Sequence, residues 1–240
     1  MHLSGKRVLV TGGTDGIGAA LIRALRDVGA EIITTGRTAE RIAATRADGF
    51  EVIEADLSAP AGIEAVIAGL GDRPIDILVN NAGAGVSHDF RHGTPDETLL
   101  DPGIFLNLNA PIHLITRLLP VLMARPEAMV VNVTSGLAIA PYGGGPVYCA
   151  TKAGLRSYGQ ALRRQLKGTR VQVLEALPPL VATQMNAGRS KGLISAEECA
   201  RQIVRAMEQN AAEANIGLVK VLRLIYSISP ALARVIMIRA

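Results

Sequence analysis

Thr11-Gly12-Gly13-Thr14-Asp15-Gly16-Ile17-Gly18 joins an apolar strand at 7–11 to a helical pattern at 16–28. Glycines at 12, 16 and 18 permit a tight turn, close approach of a pyrophosphate, and close packing of helix on sheet. The amino end of the helix offers unpaired N–H groups and the positive end of a dipole to an anion. A glycine run alone is weak evidence. Its place between a strand and a helix, at the first β–α junction, is what gives this one weight.

Outward from that turn, apolar runs bounded by turn residues alternate with helical patterns. Strands are predicted at 7–11, 31–35, 51–55, 75–80, 129–133 and 170–176, with a shorter one near 216–220. Helices are predicted at 16–28, 39–47, 61–69, 101–124, 146–166 and 196–210, the fourth kinked or split by Pro111. Ser195 and Glu198 have capping-box spacing, and Ser229-Pro230 reads as the cap and first position of a helix at 231–238. No repeat or long linker interrupts the pattern. The expected architecture is a single-domain α/β protein over 1–240, a Rossmann-type doubly wound parallel β-sheet with helices on both faces. It would carry a substrate lid at 185–195 and a C-terminal tail at 219–240.

Composition agrees with that architecture. The chain is 49% hydrophobic but 3% aromatic with no Trp, so its core is built from Ala, Val, Ile and Leu, which suits a covered parallel sheet. Cys149 and Cys199 make no disulfide framework or CxxC metal spacing, and a cytoplasmic location is the simplest expectation. The net charge of +4 is scattered and aromatics are few, which argues against nucleic acid and leaves an anionic cofactor to account for the balance. Residues 1–6 lead straight into the first strand, leaving no room for a signal peptide. The longest uncharged run in the tail, 224–233, falls far short of the ~20 residues of a membrane span. A helix lying on a membrane surface, with Lys220, Arg223, Arg234 and Arg239 as its basic residues, would give weak contact; covering the sheet edge or a neighbouring subunit is the preferred role.

Tyr148-Cys149-Ala150-Thr151-Lys152, read with Ser135 thirteen positions earlier, carries the chemistry. Four residues apart on a helix, the Tyr and Lys project from one face. Ser135 follows a buried strand and sits at its carboxyl end, where open α/β sheets bind ligands. A phenol titrates near pH 10, and lowering it by about three units takes ~4 kcal/mol. One cation at about 4 Å, with an effective dielectric near 20, supplies ~4 kcal/mol. Lys152 is therefore expected to do most of the lowering, so that Tyr148 moves a proton while a hydride moves elsewhere.

The GxxxGxG spacing, Asn80-Asn81-Ala82-Gly83 and the Ser/Tyr/Lys set together resemble the short-chain dehydrogenase/reductase family over residues 5–185. The resemblance implies an NAD(P)-dependent oxidoreductase interconverting a ketone or aldehyde and an alcohol, with Asn109, Ser135, Tyr148 and Lys152 as catalytic residues. Ser135 would bind the reacting oxygen, and Asn109 would support a water leading from the lysine to solvent. Gly12, Thr14, Asp15, Gly16, Ile17 and Gly18 match the pyrophosphate turn and its flanks. Asp56 and Leu57 match the adenine contacts, while Asn80, Ala82 and Gly83 flank the adenosine ribose. Pro178, Val181 and Thr183 match the nicotinamide segment, and the resemblance implies that Tyr148 and Lys152 would also touch cofactor. The alternatives are a helix cap for Asp56 and a backbone-holding role for Asn80.

The residue after strand two decides between cofactors, because an acid there accepts from a ribose 2′-hydroxyl and repels a 2′-phosphate. Gly36 repels nothing, and the Arg37 guanidinium can clamp a phosphate, so NADP is expected over NAD; Asp15 argues mildly the other way. Cys149 reads as a packing residue. His88 and His92 lie in a polar loop, and no metal site is expected. Leu137, Ile139, Tyr142 and Leu180, with the lid, outline an apolar pocket for a small-molecule carbonyl or alcohol. By resemblance the helices at 101–124 and 146–166 pair across a two-fold axis in a homodimer. The alternative is a non-catalytic cofactor-sensing or scaffold protein of envelope metabolism.

Overall fold

The computed structural model describes residues 1–86, 89–94, 96–188 and 192–238; His88 and Arg239 lie outside the described residues. Seven parallel strands form one sheet in the order β3-β2-β1-β4-β5-β6-β7. They are β1 (Arg7–Val10), β2 (Glu31–Gly36), β3 (Glu51–Glu54), β4 (Ile77–Asn80), β5 (Ala128–Val133), β6 (Val171–Leu177) and β7 (Glu213–Asn215). The order reverses between β1 and β4, which makes their carboxyl ends the place for a ligand crevice.

Alternation along the strands sorts the core into two layers. Val8, Val10, Ile77, Val79, Met129 and Val131 face α1 (Gly16–Asp27) and α7 (Ala196–Glu208), against Leu21, Leu25, Ile203 and Met207. Leu9, Leu78, Ala128 and Val130 face the opposite layer, which includes α3 (Pro60–Leu70), α5 (Ala110–Met123) and α6 (Pro146–Gln165). Helix α2 (Ala39–Ala47) lies between β2 and β3 in sequence. Residues Leu100–Met123 are long and apolar enough to cross a bilayer, but their α5 portion buries Leu114, Ile115, Leu118 and Leu122 in this layer. The serine cap of α7 is present: Ser195 Oγ accepts from the Glu198 N–H at 3.0 Å.

Two predicted elements differ. The helix expected at 101–124 is α4 (Glu97–Ile104), a π-helical stretch Phe105–Asn109, then α5. Pro111 lies in the first turn of α5, and the Ala110 N–H reaches back five residues to the Phe105 carbonyl. A proline brings no N–H to the carbonyl four residues before it, here Asn107, so the helix widens upstream instead of breaking. The strand expected at 216–220 is also displaced. The edge strand is β7, and Val219–Ile228 is helix α8, followed by α9 (Pro230–Ile238), whose Ser229 cap accepts from the Leu232 N–H at 3.2 Å. These helices bury Leu222 and Ala233 against Ala140, while Leu218, Val221, Leu224, Ile228, Leu232, Val235, Ile236 and Ile238 stay exposed.

Candidate active site

The glycine turn folds as its composition requires. Gly12 has φ +69°, and a Cβ there would come within 3.0 Å of the Ala82 Cα. A Cβ on Gly18 would stand 2.1 Å from the Gly12 carbonyl oxygen, so only glycine lets the helix approach the turn. Thr35 and Thr34 hydroxyls accept from the N–H groups of Gly12 and Gly13, each at 3.0 Å. The Asp15 carboxylate caps α1 by accepting from Gly16 at 2.8 Å.

One cleft of about 560 Å3 gathers Gly12, Thr14, Asp15, Gly16, Ile17, Gly18, Arg37, Asp56, Leu57, Ala82, Gly83, Ser135, Tyr148, Lys152, Pro178, Val181 and Thr183. Elements far apart in sequence thus deliver nearly all the expected residues to the switch point. At the outer end, Gly36 leaves room that Thr14 fills, since a Cβ would lie 2.5 Å from its methyl group. Arg37 is exposed beside Asp56, whose Oδ1 accepts from the Ser58 N–H at 3.0 Å. That hydrogen bond holds the Asp56 carboxyl below its ordinary range, and Arg37 acts in the same direction. Asp56 does not cap a helix; the cap position of α3 is Ala59.

At the inner end, Lys152 is buried on α6 and donates from Nζ to the Val133 carbonyl at 3.0 Å. Its Nζ stands 5.7 Å from the centre of the Tyr148 ring. Ser135 lies within hydrogen-bonding reach of the phenol, and its Oγ also accepts from the Leu137 N–H at 3.1 Å. Burial pushes the Tyr148 phenol up to about 12, against the Ser135 hydrogen bond that lowers it. Burial also brings Lys152 down to about 8. This corrects the expectation that the lysine draws the phenol toward neutrality. In the protein by itself, desolvation outweighs a cation at this distance, and the phenol keeps its proton.

Two residues of the expected set stand elsewhere. Asn80 is buried in the sheet, donating from Nδ2 to the Asn132 Oδ1 at 2.9 Å, so it ties β4 to β5. Its neighbour Asn81 lines the cleft and bonds the carbonyls of Thr11 and Gly12 at 3.0 and 3.3 Å. Asn109 is not the asparagine beside Lys152. Asn107 is: fully buried, it exchanges two hydrogen bonds with the Ala84 backbone at 3.0 and 2.9 Å. A Cβ on Gly83 would lie 3.0 Å from the Asn107 Oδ1 and 3.4 Å from the Lys152 Nζ. Two residues along a helix is roughly half a turn, which puts Asn109 on the other side. The clue in the sequence was Pro111, whose missing N–H points four residues back to Asn107.

Sequence reasoning also missed Arg41. From α2 its Nη1 donates to Asp15 Oδ2 at 2.7 Å, and its Nη2 donates to Gln184 Oε1 across the cleft mouth. The chain on either side of the segment expected to form a lid is paired: the Ala182 N–H donates to the Ile194 carbonyl at 2.8 Å and the Ile194 N–H to the Leu180 carbonyl at 3.1 Å.

Residues 6–193 match the family described as short chain dehydrogenase. The chain belongs to that family. Among members, it is 39% identical over 223 residues to Uncharacterized oxidoreductase DltE of Bacillus subtilis (strain 168), covering 89% of this chain and 88% of that protein. The NADP-dependent 3-hydroxy acid dehydrogenase YdfG of Escherichia coli (strain K12) is 34% identical over 194 residues, 77% of each chain. A closed form of serine dehydrogenase complexed with NADP+ shares 28% identity at a TM-score of 0.76, over 86% of this chain and 93% of that one. A short chain dehydrogenase from Burkholderia cenocepacia J2315 superposes over 100% of both chains at a TM-score of 0.87; at 22% identity this is a likeness of fold. This short chain dehydrogenase is thus an NAD(P)-dependent oxidoreductase acting on CH–OH groups.

Proposed function

We propose that this short chain dehydrogenase is an NADP(H)-dependent reductase of ketones or aldehydes, and the corresponding alcohol dehydrogenase in reverse. The reading rests on one juxtaposition: Tyr148, Ser135 and the buried Lys152 share the inner end of a cleft whose outer end carries Arg37 beside a glycine. The cleft fits a dinucleotide phosphate. Gly12, Gly16 and Gly18 line it at the start of α1, and Arg37 and Arg41 offer guanidinium groups for a 2′-phosphate. The NADP named for relatives YdfG and serine dehydrogenase supports this choice.

The cofactor would supply or accept the hydride. The chain's own residues would handle the proton. A phenol raised to about 12 holds its proton across the neutral range, so Tyr148 is set to donate it to a carbonyl oxygen. The Ser135 hydroxyl would donate to the same oxygen and fix its orientation. Lys152, oriented by the Val133 carbonyl, would keep a cation beside the phenol as it loses its proton. Asn107, not Asn109, would serve the proton path. Its side chain is spent on Ala84, and Pro111 brings no N–H to its main-chain carbonyl, which would then take a water as donor.

A panel of ketones, aldehydes and secondary alcohols, followed by cofactor absorbance, tests the reading. Turnover of at least one is expected. Tight cofactor binding with no turnover on any would favour the sensing or scaffold alternative.

The protein would act in the cytoplasm as a homodimer. The exposed line of Ala150, Ala153, Ser157 and Ala161 on α6 is small enough for close approach of a symmetry mate. Light scattering should give a dimer at micromolar concentration. A monomer would refute the shared-helix interface, and a tetramer would assign a second axis to the tail.

A further inference from the structure

Val133, Thr134 and Ser135 are consecutive, and each holds a different partner. The Val133 carbonyl accepts from Lys152 at 3.0 Å, and the Ser135 hydroxyl reaches Tyr148. Between them, the Thr134 hydroxyl donates to Glu175 Oε1 at 2.8 Å. Glu175 belongs to β6, beside β5, and is 2% exposed. Its other oxygen accepts from Arg156 Nη1 at 2.6 Å. Arg156 lies on α6 four residues after Lys152 and eight after Tyr148, on the same helix face.

A buried ion pair is a poor way to make a core stable, because desolvating both charges offsets most of their attraction. Burial, the largest influence, holds the Glu175 carboxyl above its ordinary range, and Thr134 and Arg156 act in the opposite direction. An apolar pair would serve the core as well. The pair stands directly behind the three residues that touch the reacting groups, which calls for a reason beyond stability.

We propose that Arg156 and Glu175 are positioning residues that lock the 133–135 segment, at the carboxyl end of β5, to the face of α6 carrying Tyr148 and Lys152. The inference rests on the reading of Tyr148, Ser135 and Lys152 as the reacting set. The charged groups facing the pair are Glu213 of β7, which accepts from Arg156 Nη2 at 3.0 Å, and Arg223 of α8, 3.8 Å from Glu213. Lys152 is the cation one turn away on α6.

Three variants test it: Glu175→Gln, Arg156→Met and the double variant. Each single change should lower kcat about tenfold or more, because small displacements of reacting groups are costly. Cofactor affinity should stay within about twofold, since neither residue touches the glycine turn or Arg37. Glu175→Gln removes a negative charge and leaves Arg156 to Glu213 alone, whereas Arg156→Met removes the positive charge between Glu175 and Glu213; along α6 Arg156 stands two turns, about 12 Å of rise, from Tyr148. The pKa of Tyr148 should therefore fall in Glu175→Gln and rise in Arg156→Met, each by about half a unit. A merely structural role would lower stability in both without opposite shifts. The double variant should regain the parental melting temperature and pKa while kcat stays low, and it remains informative if a single variant fails to fold.

Recovery of kcat in the double variant, or unchanged kcat in folded single variants, would overturn the proposal. Ultraviolet titration of the phenols, with Tyr148→Phe as baseline, reads the shifts without substrate. A parent that reduces nothing on the panel refutes the oxidoreductase reading alone. In that case, shifts of the same sign in both single variants would overturn the positioning role as well.

Discussion

At the inner end of the cleft Lys152 is 4% exposed, whereas at the mouth the side chains of Arg41 and Asp15 are 41% and 47% exposed. Both ends hold a cation, yet the physics differs. Bringing an ammonium from 10.5 down to about 8 corresponds to a penalty on the order of 3 kcal/mol for its charged form. An exposed ion pair such as Arg41 with Asp15 contributes roughly 0–1 kcal/mol and is screened by salt. On the proposed reading, chemistry is set where charge is expensive and cofactor choice where charge is cheap. Substitutions at the inner end should act on rate and stability together, and those at the mouth on preference alone.

The largest effect should come from Tyr148→Phe, which keeps the ring and removes the proton. Turnover should fall about a thousandfold with an unchanged circular dichroism spectrum. Near-normal activity would remove the phenol from the mechanism. Lys152→Met should come next, with about a hundredfold loss of turnover and weaker cofactor binding. The same change should raise the melting temperature at pH 7, because it deletes a buried charge. The sign follows from the depressed pKa: the penalty is full below pH 8, and is relieved as pH rises from about 8 toward 10.5. The stabilisation should therefore shrink by pH 10, and a variant that melts lower at pH 7 would contradict the burial argument.

At the mouth, Arg37→Asp should move the ratio of NADPH to NADH affinity by about tenfold or more toward NADH, since repulsion replaces an ion pair. A parent that already prefers NADH would show Asp15 to be the better guide. The smallest effect belongs to Arg41→Ala, about threefold or less on NADPH affinity at low salt and absent at high salt. Titration calorimetry at two ionic strengths separates the two arginines.

Most of the sheet and its helices were legible because strand and helix periods alternate cleanly around glycine turns. Ser135, Tyr148, Lys152 and the glycines were legible because their spacing requires a strand end, a helix face and a tight turn. The failures have physical causes. Ile216-Gly217-Leu218-Val219-Lys220 is a short, mostly apolar run like a strand, yet Val219 and Leu222 lie three apart and both are buried, the spacing of a helix face. In Asn107-Leu108-Asn109 two asparagines compete, and the π-helical widening before Pro111 decides which faces Lys152. Arg41 reaching Gln184 joins residues 143 positions apart, which no local pattern announces. The depressed lysine and raised phenol depend on depth of burial, which spacing does not encode.

The sheet order also governs when the enzyme comes into being on the ribosome. β1 is made first but ends in the middle of the sheet, and its partner Ile77 for Val8 is synthesised 69 residues later. Ser135, Lys152 and Thr183 follow only with β5, α6 and the segment after β6. At about 5–20 residues per second, the glycine turn waits several seconds for β4 and longer for Thr183 before a cofactor could be clasped. Parallel pairings of such separation close slowly. A nascent chain would therefore gain affinity for cofactor as an abrupt event, once the segment after β6 is free to fold.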